Sequence, residues 1–294
     1  MKYQEKFLIS IIMPVYNSQE SISTAIESVI SQTYKNWELI CINDASTDNT
    51  KSILQYYQTI EKRIRVYNNR GQRGVGYSLN KGITQAKGQF IARMDGDDIS
   101  LENRLAQQVG LLIKNPRLVA CGGNMEIMDE RNNTIGYQTY PSDNDQLYKM
   151  IMKVSPLSHP TLMARVKIMK KYKYKTNLST AEDVDMFFYL LSQGPISNVQ
   201  DFIYKYSWHL LDVKKTFYIT FLTRFIAIIK YGYIPTFSGI LTSILQLIVI
   251  SLMPEKIIIK IFETVRFYRP LRTKENIVFP TINTVIAAIG KRPI

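Results

Sequence analysis

With 294 residues, 46% of them hydrophobic, the chain has enough apolar material for one large domain, or for one domain with an appendage. Its two cysteines, Cys41 and Cys121, sit inside apolar runs, which excludes a disulfide framework and suits a reducing compartment. The net charge is +13, and the last 85 residues carry 12 Lys and Arg against 4 Asp and Glu, so +8 of it lies in the tail. That bias suits an anionic surface nearby, with a solvated basic face as the plain alternative. No nucleic-acid module accompanies the charge and the tail is too apolar for one, so nucleic acid is not expected as a partner. Met1 to Lys6 are polar and charged, so no secretory leader is expected here and the N-terminal part is expected in the cytosol.

The apolar run Leu8 to Met13, closed by Pro14, predicts a buried strand. Ser18 follows as a possible cap, and Ile22, Ala25, Ile26, Val29 and Ile30 recur at helical spacing. Trp37 to Ile42 predicts a second buried strand, ending at Asn43-Asp44. A helix is expected around Asp48 to Tyr57, a short strand over Ile64 to Tyr67, and a helix over Val75 to Ala86. Phe90 to Met94 predicts a strand that stops at Asp95, and Leu101 to Lys114 a helix ended by Asn115-Pro116. Strands alternating with helices imply an α/β fold with a mostly parallel sheet covered on both faces. Ligands in such sheets bind beyond the carboxyl ends of the strands. Tyr16-Asn17, Asn43-Asp44 and Asp95-Gly96-Asp97-Asp98 all fall at such ends and so are expected to share one site. Beyond Cys121-Gly122-Gly123 the pattern loosens, and Lys149 to Val154, Thr161 to Met169 and Asp183 to Leu191 read as helix or strand around an acceptor pocket.

Asp95, Asp97 and Asp98 put three carboxylates within four residues, and they repel one another unless a cation or hydrogen-bond donors neutralise them. Hard oxygen ligands suit Mg²⁺ or Mn²⁺, shared with substrate phosphates. A solvated acidic turn is the other reading of so short a pattern. Gly71, Gly74 and Gly76, interleaved with Arg70 and Arg73, fit either a backbone loop near phosphates or a flexible connection; G-K-[ST] is absent, so this is no P-loop.

Taken together these segments resemble the inverting family 2 glycosyltransferases, which have the GT-A fold: a Rossmann-like, mostly parallel sheet with helices on both faces. The matching residues are Ile11 to Asn17, Ser28 to Tyr34, Trp37 to Ile40, Asn43 to Asp48, Ser78 to Gly82 and Ile91 to Asp98, in the family's order and spacing. The likeness runs from about Ile9 to His209 and is strongest to bacterial capsule and exopolysaccharide transferases. It implies a nucleotide pocket lined by Pro14, Tyr16, Asp44 and Arg73, with Asp95 and Asp98 at the ribose and donor sugar and Asp97 on the metal, Mn²⁺ or Mg²⁺. It implies a nucleotide-sugar donor, UDP-linked for preference, and a saccharide or lipid-linked acceptor. Ala181-Glu182-Asp183 resembles the family's E-D motif, whose aspartate is the general base; both acids would also suit the start of a helix. His159 and Glu182 take supporting roles near the acceptor. Tyr204 to His209 resembles the Y-R-x-H element, in which the histidine approaches the metal; here Ser207 stands in place of the arginine. The reaction so implied is a single displacement with inversion, Asp183 taking the acceptor proton. A non-catalytic binding or regulatory protein on the same scaffold is the rival reading.

The sequence divides near Leu211 into a catalytic region, 1–210, and a basic, apolar, helical region, 211–294. Tyr231 to Met253 lacks any charged residue and is long enough to span a bilayer. Gly232, Pro235 and Gly239 weaken the start of such a helix, and Gly239, Thr242 and Gln246 form a less apolar stripe. Basic residues flank both ends, which argues against a single crossing. Peripheral or monotopic attachment to the cytoplasmic side of the cell membrane is therefore expected, with a spanning helix second and a soluble helical subdomain that buries these residues as the plain alternative.

Overall fold

In the computed structural model, which describes residues 6–177, 180–208 and 213–258, successive side chains along strand β1 (Ile9–Val15) feed two different cores. Ile9, Ile11, Met13 and Val15 enter one core and Ile12 the other, as the period of two in a strand requires. Strand β2 (Trp37–Asn43) repeats this, with Leu39 and Cys41 on one side and Ile40 and Ile42 on the other. Both strands are therefore covered on both faces. One face packs against α1 (Ile22–Ile30), α2 (Thr50–Ile60) and α4 (Arg104–Lys114), and the other against α3 (Val75–Gln85) and α7 (Glu182–Gln193).

The remaining strands are β3 (Ile64–Asn68), β4 (Phe90–Arg93), β5 (Ile99–Ser100), β6 (Ala120–Met128), β7 (Thr134–Gln138), β8 (Met163–Arg165) and β9 (Ile196–Ser207). Across the sheet the order is β3-β2-β1-β4-β8-β6-β9-β5, with β7 paired to β6. The first four run parallel, β8 is antiparallel to both its neighbours, and β6 runs parallel to β9. The fold is thus the expected α/β type. Short helices α5 (Asn144–Met150) and α6 (Val166–Met169) fill the connections. Cys41 and Cys121 are free and buried, and burial pushes both thiols up to about 12, so they pack as inert core residues.

Two strand details differ from the sequence pattern. Pro14 does not end β1 but lies inside it, paired with Ile42. The Val15 carbonyl accepts from Asp44 on the β2 side, so Pro14 faces the β4 side, where pairing has already ended at Ile12–Arg93. Its missing N–H removes no ladder bond. The loosened region after Cys121 holds the long strands β6 and β9. They approach so closely that a Cβ on Gly123 would lie 2.4 Å from Ile203 Cδ1. Gly122 and Gly123 therefore mark close packing of strands rather than a turn.

The apolar tail is two helices, α8 (Val213–Tyr231) and α9 (Phe237–Leu252). Gly232 ends α8 in the left-handed region with φ 63°, and the Thr236 side chain caps α9 by accepting from Gly239 N. The uncharged stretch Tyr231–Met253 is thus broken near its start. The 16 residues of α9 make about 24 Å at the usual rise, short of the roughly 30 Å hydrocarbon core. No described helix is long and apolar enough to cross a membrane. The expected boundary at Leu211 lies outside the described residues.

Helix α8 is fastened to α7 by Asp185. This buried carboxylate accepts from Tyr231 Oη at 2.8 Å, Lys230 Nζ at 3.0 Å and Tyr172 Oη at 3.0 Å. Burial opposes its charge, yet these donors hold its carboxyl below the usual range. Asp185→Ala strands the buried Tyr172 hydroxyl, the part-buried Tyr231 hydroxyl and the ammonium groups of Lys230 and Lys175. It is expected to cost about 3 kcal/mol, read as a lowered urea midpoint; an unchanged midpoint would show that the fastening is not there.

Candidate active site

The parallel strands β3, β2, β1 and β4 deliver their carboxyl ends to one edge of the sheet, and the polar residues gather there. Asn17 and Ala45, just past β1 and β2, adopt left-handed backbone (φ 47° and 60°) and turn the chain sharply. The two turns hold each other: Asn17 N donates to Ser46 Oγ at 3.0 Å, and Thr47 N donates to Asn17 Oδ1 at 2.9 Å. Tyr16 lies at the first of these turns and Pro14 two residues before it, inside β1; Tyr16 is 42% exposed and free to lie against a planar ligand.

Asp44 is buried, and its carboxylate organises the glycine loop. It accepts from Asn69 Nδ2 at 2.7 Å, from Arg73 N at 2.9 Å and from Gly74 N at 2.8 Å. Gly74 has φ 84°, which a side chain would resist, and this conformation points its N–H at Asp44. The loop is therefore anchored rather than a free connection. The Arg73 guanidinium sits 4.8 Å from the centre of the Tyr77 ring.

The acidic turn follows β4. Carboxylate oxygens of Asp95, Asp97 and Asp98 all lie within 4.8 Å of one another. Three hard anionic donors this close fit Mg²⁺ or Mn²⁺, with Asp95 and Asp97 part-exposed and able to face one. Asp98 is only 1% exposed and points back into the protein. It accepts from Tyr204 Oη at 2.8 Å and Ser207 N at 2.7 Å, both on β9. Burial, then the charges of Asp95 and Asp97, raise its carboxyl well above the usual range. Ser207, standing where the resemblance expects arginine, also donates its hydroxyl to the Asp97 carbonyl. His209 lies outside the described residues.

Glu182 and Asp183 open α7, after Ala181 has turned the chain through the left-handed region at φ 59°. Burial, then Asp183, raise Glu182 to about 7. Burial likewise raises Asp183, while the charge of Arg93 pulls it back. His159 Nε2 is 3.0 Å from Tyr174 Oη, and Nδ1 is 3.8 Å from Glu182 Oε1. Burial, then Arg93, hold this imidazole well below its ordinary value, so it is neutral near pH 7.

The residue that joins these parts is one that sequence reasoning passed over. Arg93 ends β4, is 7% exposed, and pairs with Asp95 Oδ1 at 2.6 Å. Burial works against its charge, but Asp95, Tyr204, Asp98 and Glu182 more than compensate and push its pKa up. The signal was present as a cation inside an otherwise apolar strand, Phe90-Ile91-Ala92-Arg93-Met94. Arg104, also fully buried, backs it by donating to the Arg93 carbonyl at 2.6 Å.

The model of the family "Glycosyl transferase family 2" matches residues 10–177. A protein of Bacillus subtilis described as "Putative glycosyltransferase EpsE" is 35% identical over 202 residues, covering 67% of this chain and 72% of that one. The Escherichia coli "UDP-Glc:alpha-D-GlcNAc-diphosphoundecaprenol beta-1,3-glucosyltransferase WfgD" is 39% identical over 132 residues, covering 45% of this chain and half of its own length. Among solved structures, S. aureus TarS 1–349 in complex with UDP superposes with TM-score 0.62 at 22% identity, covering 76% of this chain and 66% of that chain. The chain belongs to glycosyl transferase family 2 and shares the fold of TarS.

Removing one partner of a buried ion pair costs about 3–5 kcal/mol. Arg93→Gln is therefore expected to unfold at lower urea and to lose at least about a hundredfold in donor turnover. Arg93→Lys, which keeps the charge, should restore most of the urea midpoint. Turnover at the wild-type rate in Arg93→Gln would remove Arg93 from the site.

Proposed function

We propose that the protein transfers a sugar from a nucleoside-diphosphate donor, UDP-linked for preference, to a saccharide or lipid-linked acceptor with inversion, in cell-surface polysaccharide synthesis. The observation that carries this reading is that two acidic groups from distant parts of the chain both feel Arg93: the turn Asp95–Asp98, through the ion pair to Asp95, and the pair Glu182–Asp183, through its charge. In this reading the nucleoside lies over Pro14 and Tyr16, bounded by the Asp44-anchored loop and Arg73. Asp95 and Asp98 take the donor side. Asp97 is the leading metal ligand, with Asp95 beside it and His209 as the family pattern implies. A divalent cation held by these residues would supply positive charge to the diphosphate leaving group.

The rest is done by the chain itself. Asp183, at the start of α7, accepts the acceptor hydroxyl proton as that oxygen attacks the anomeric carbon. Glu182 and the neutral His159 support the acceptor side. Asp185, two residues on, is unsuited as the base because its oxygens are already occupied by Lys230, Tyr231 and Tyr172. The relative WfgD is described as acting from UDP-Glc on a diphosphoundecaprenol-linked sugar, which supports a donor and acceptor of these classes for this chain.

Attachment to the cytoplasmic face of a membrane fits the tail. Helix α9 is inverted: Gly239, Ser243 and Ile250 are buried, and Gln246 Nε2 donates to the Lys153 carbonyl at 3.1 Å. Its apolar residues face outward, with Phe237 82% and Leu252 79% exposed and Leu241, Leu245 and Ile248 between them. On α8, Ile229 is 88% exposed. A contiguous apolar surface flanked by lysines suits the interfacial layer of an anionic membrane.

Two measurements test this. Purified protein with Mn²⁺ and a panel of nucleotide sugars is expected to release nucleoside diphosphate from one of them. Asp97→Ala should abolish the metal-dependent release, and Asp183→Asn should bind donor normally yet lose transfer by about a hundredfold or more. No release from any donor, or full activity in either variant, contradicts the assignment. For the tail, the protein is expected to sediment with phosphatidylglycerol vesicles at low salt, and the double variant Leu241→Glu, Ile248→Glu to stay in the supernatant. Wild-type protein left in the supernatant would refute membrane attachment.

A further inference from the structure

Arg224 is a buried cation with no anion of its own. It lies on α8 with Thr223 and Ala227 on the side turned to the protein, and is only 6% exposed. Its Nη1 donates to Gln246 Oε1, a neutral amide on α9, at 3.2 Å. Its Nε is buried without any partner. Among the described residues no carboxylate pairs with it. The other buried arginines are better satisfied: Arg93 shares an orphaned Nε but pairs with Asp95, and Arg104, which also lacks a carboxylate, donates to Gln108 Oε1 and to the carbonyls of Arg93 and Pro160. A buried charge left in this way is costly, and replacing it by an apolar side chain is neutral or stabilising in the general case. The fold draws on it for only one neutral hydrogen bond, to α9.

Its place points to another use. Helix α8 packs against α7, the two fastened by Asp185, and α7 opens with Asp183. Thr180 Oγ1 meets Thr216 Oγ1 at 3.1 Å and Asp185 holds Lys230 and Tyr231, so α8 runs alongside the start of α7 and brings Arg224, midway between these contacts, to the level of Asp183. Burial lowers the guanidinium to about 10, with Asp183 acting in the other direction. The opposite side of the same helix is apolar, with Tyr218, Leu222, Ile226 and Ile229 exposed. One helix thus carries a lone guanidinium inward, beside the base, and a lipid-compatible face outward. An acceptor made of sugar, diphosphate and polyprenyl chain has the same three parts in order. A hydroxyl placed at Asp183 leaves the diphosphate one pyranose ring away. A guanidinium fork is the side chain best shaped for such an anion.

We propose that Arg224 receives the diphosphate of a lipid-linked acceptor, so that the tail helix completes the acceptor site. This rests on the lipid-linked-acceptor reading above. The test is calorimetric binding of farnesyl diphosphate and of farnesol, with UDP and Mn²⁺ saturating the donor site, to the full chain and to Arg224→Met and Arg224→Lys. Wild type should bind the diphosphate. Arg224→Met should bind it at least tenfold more weakly and Arg224→Lys several-fold more weakly, with farnesol and UDP affinities unchanged. The melting temperature of Arg224→Met should stay within a few degrees of wild type or rise. Equal diphosphate affinity in wild type and Arg224→Met overturns this inference alone. So does a parallel loss of UDP affinity, which would assign the cation to the donor, or a collapse in melting temperature, which would make it structural. Wild type that binds neither farnesyl compound overturns the lipid-linked reading together with the inference.

Discussion

The ion pair between Arg93 and Asp95 is the contact on which the site depends. Asp95, Asp97, Asp98, Glu182 and Asp183 converge from two distant parts of the chain, and two unit charges about 4 Å apart repel by about 4 kcal/mol at an effective dielectric near 20. Several such repulsions rival the whole stability of a domain, about 5–15 kcal/mol. A guanidinium buried among them offsets part of that repulsion, although Asp98, Glu182 and Asp183 stay above their ordinary values. Its charge acts on Asp95, Asp98, Glu182 and Asp183 alike, so the acidic turn and the start of α7 can share one cleft. Arg104 then fixes β4 to the segment before β8 by donating to the carbonyls of Arg93 and Pro160.

The first half of the fold was legible because its strands are buried on both faces and read as unbroken apolar runs between helices of clear period. The gathering of Tyr16, Asp44 and Asp95 at one edge follows from that alternation, since parallel strands all end on the same side. The second half was not legible. Strand β6 carries Gly122, Gly123 and Asn124, and β9 carries Asn198, Gln200 and Asp201, so neither shows a simple apolar period. Their pairing shifts register around Gly123 and Asn124, and close approach takes the place of side-chain packing. Arg93 was hidden for a related reason: a single charge in an apolar strand shows nothing of its partners, which come from far along the chain.

The tail illustrates how a sequence pattern can be right in its parts and open in its meaning. Gly232 and Pro235 do break the uncharged stretch, and Gly239 and Gln246 do form a less apolar stripe. Only the packing shows that Gly239, Ser243 and Gln246 face the protein, against Met152 and Lys153, which leaves the apolar face outward. That inversion is the opposite of a soluble helix and is too short for a crossing. In the proposed reaction it gives the enzyme a surface on which to meet an acceptor held in the membrane plane.

In the proposed reaction Asp183 directs the acceptor, in one displacement, at a donor held beside Asp95–Asp98. Proton NMR of the product made from an α-linked nucleotide sugar tests it most directly. A new linkage with the β-anomeric coupling is expected. An α-linked product would contradict it, because retention requires a second displacement or a front-face path that a single base at Asp183 does not provide.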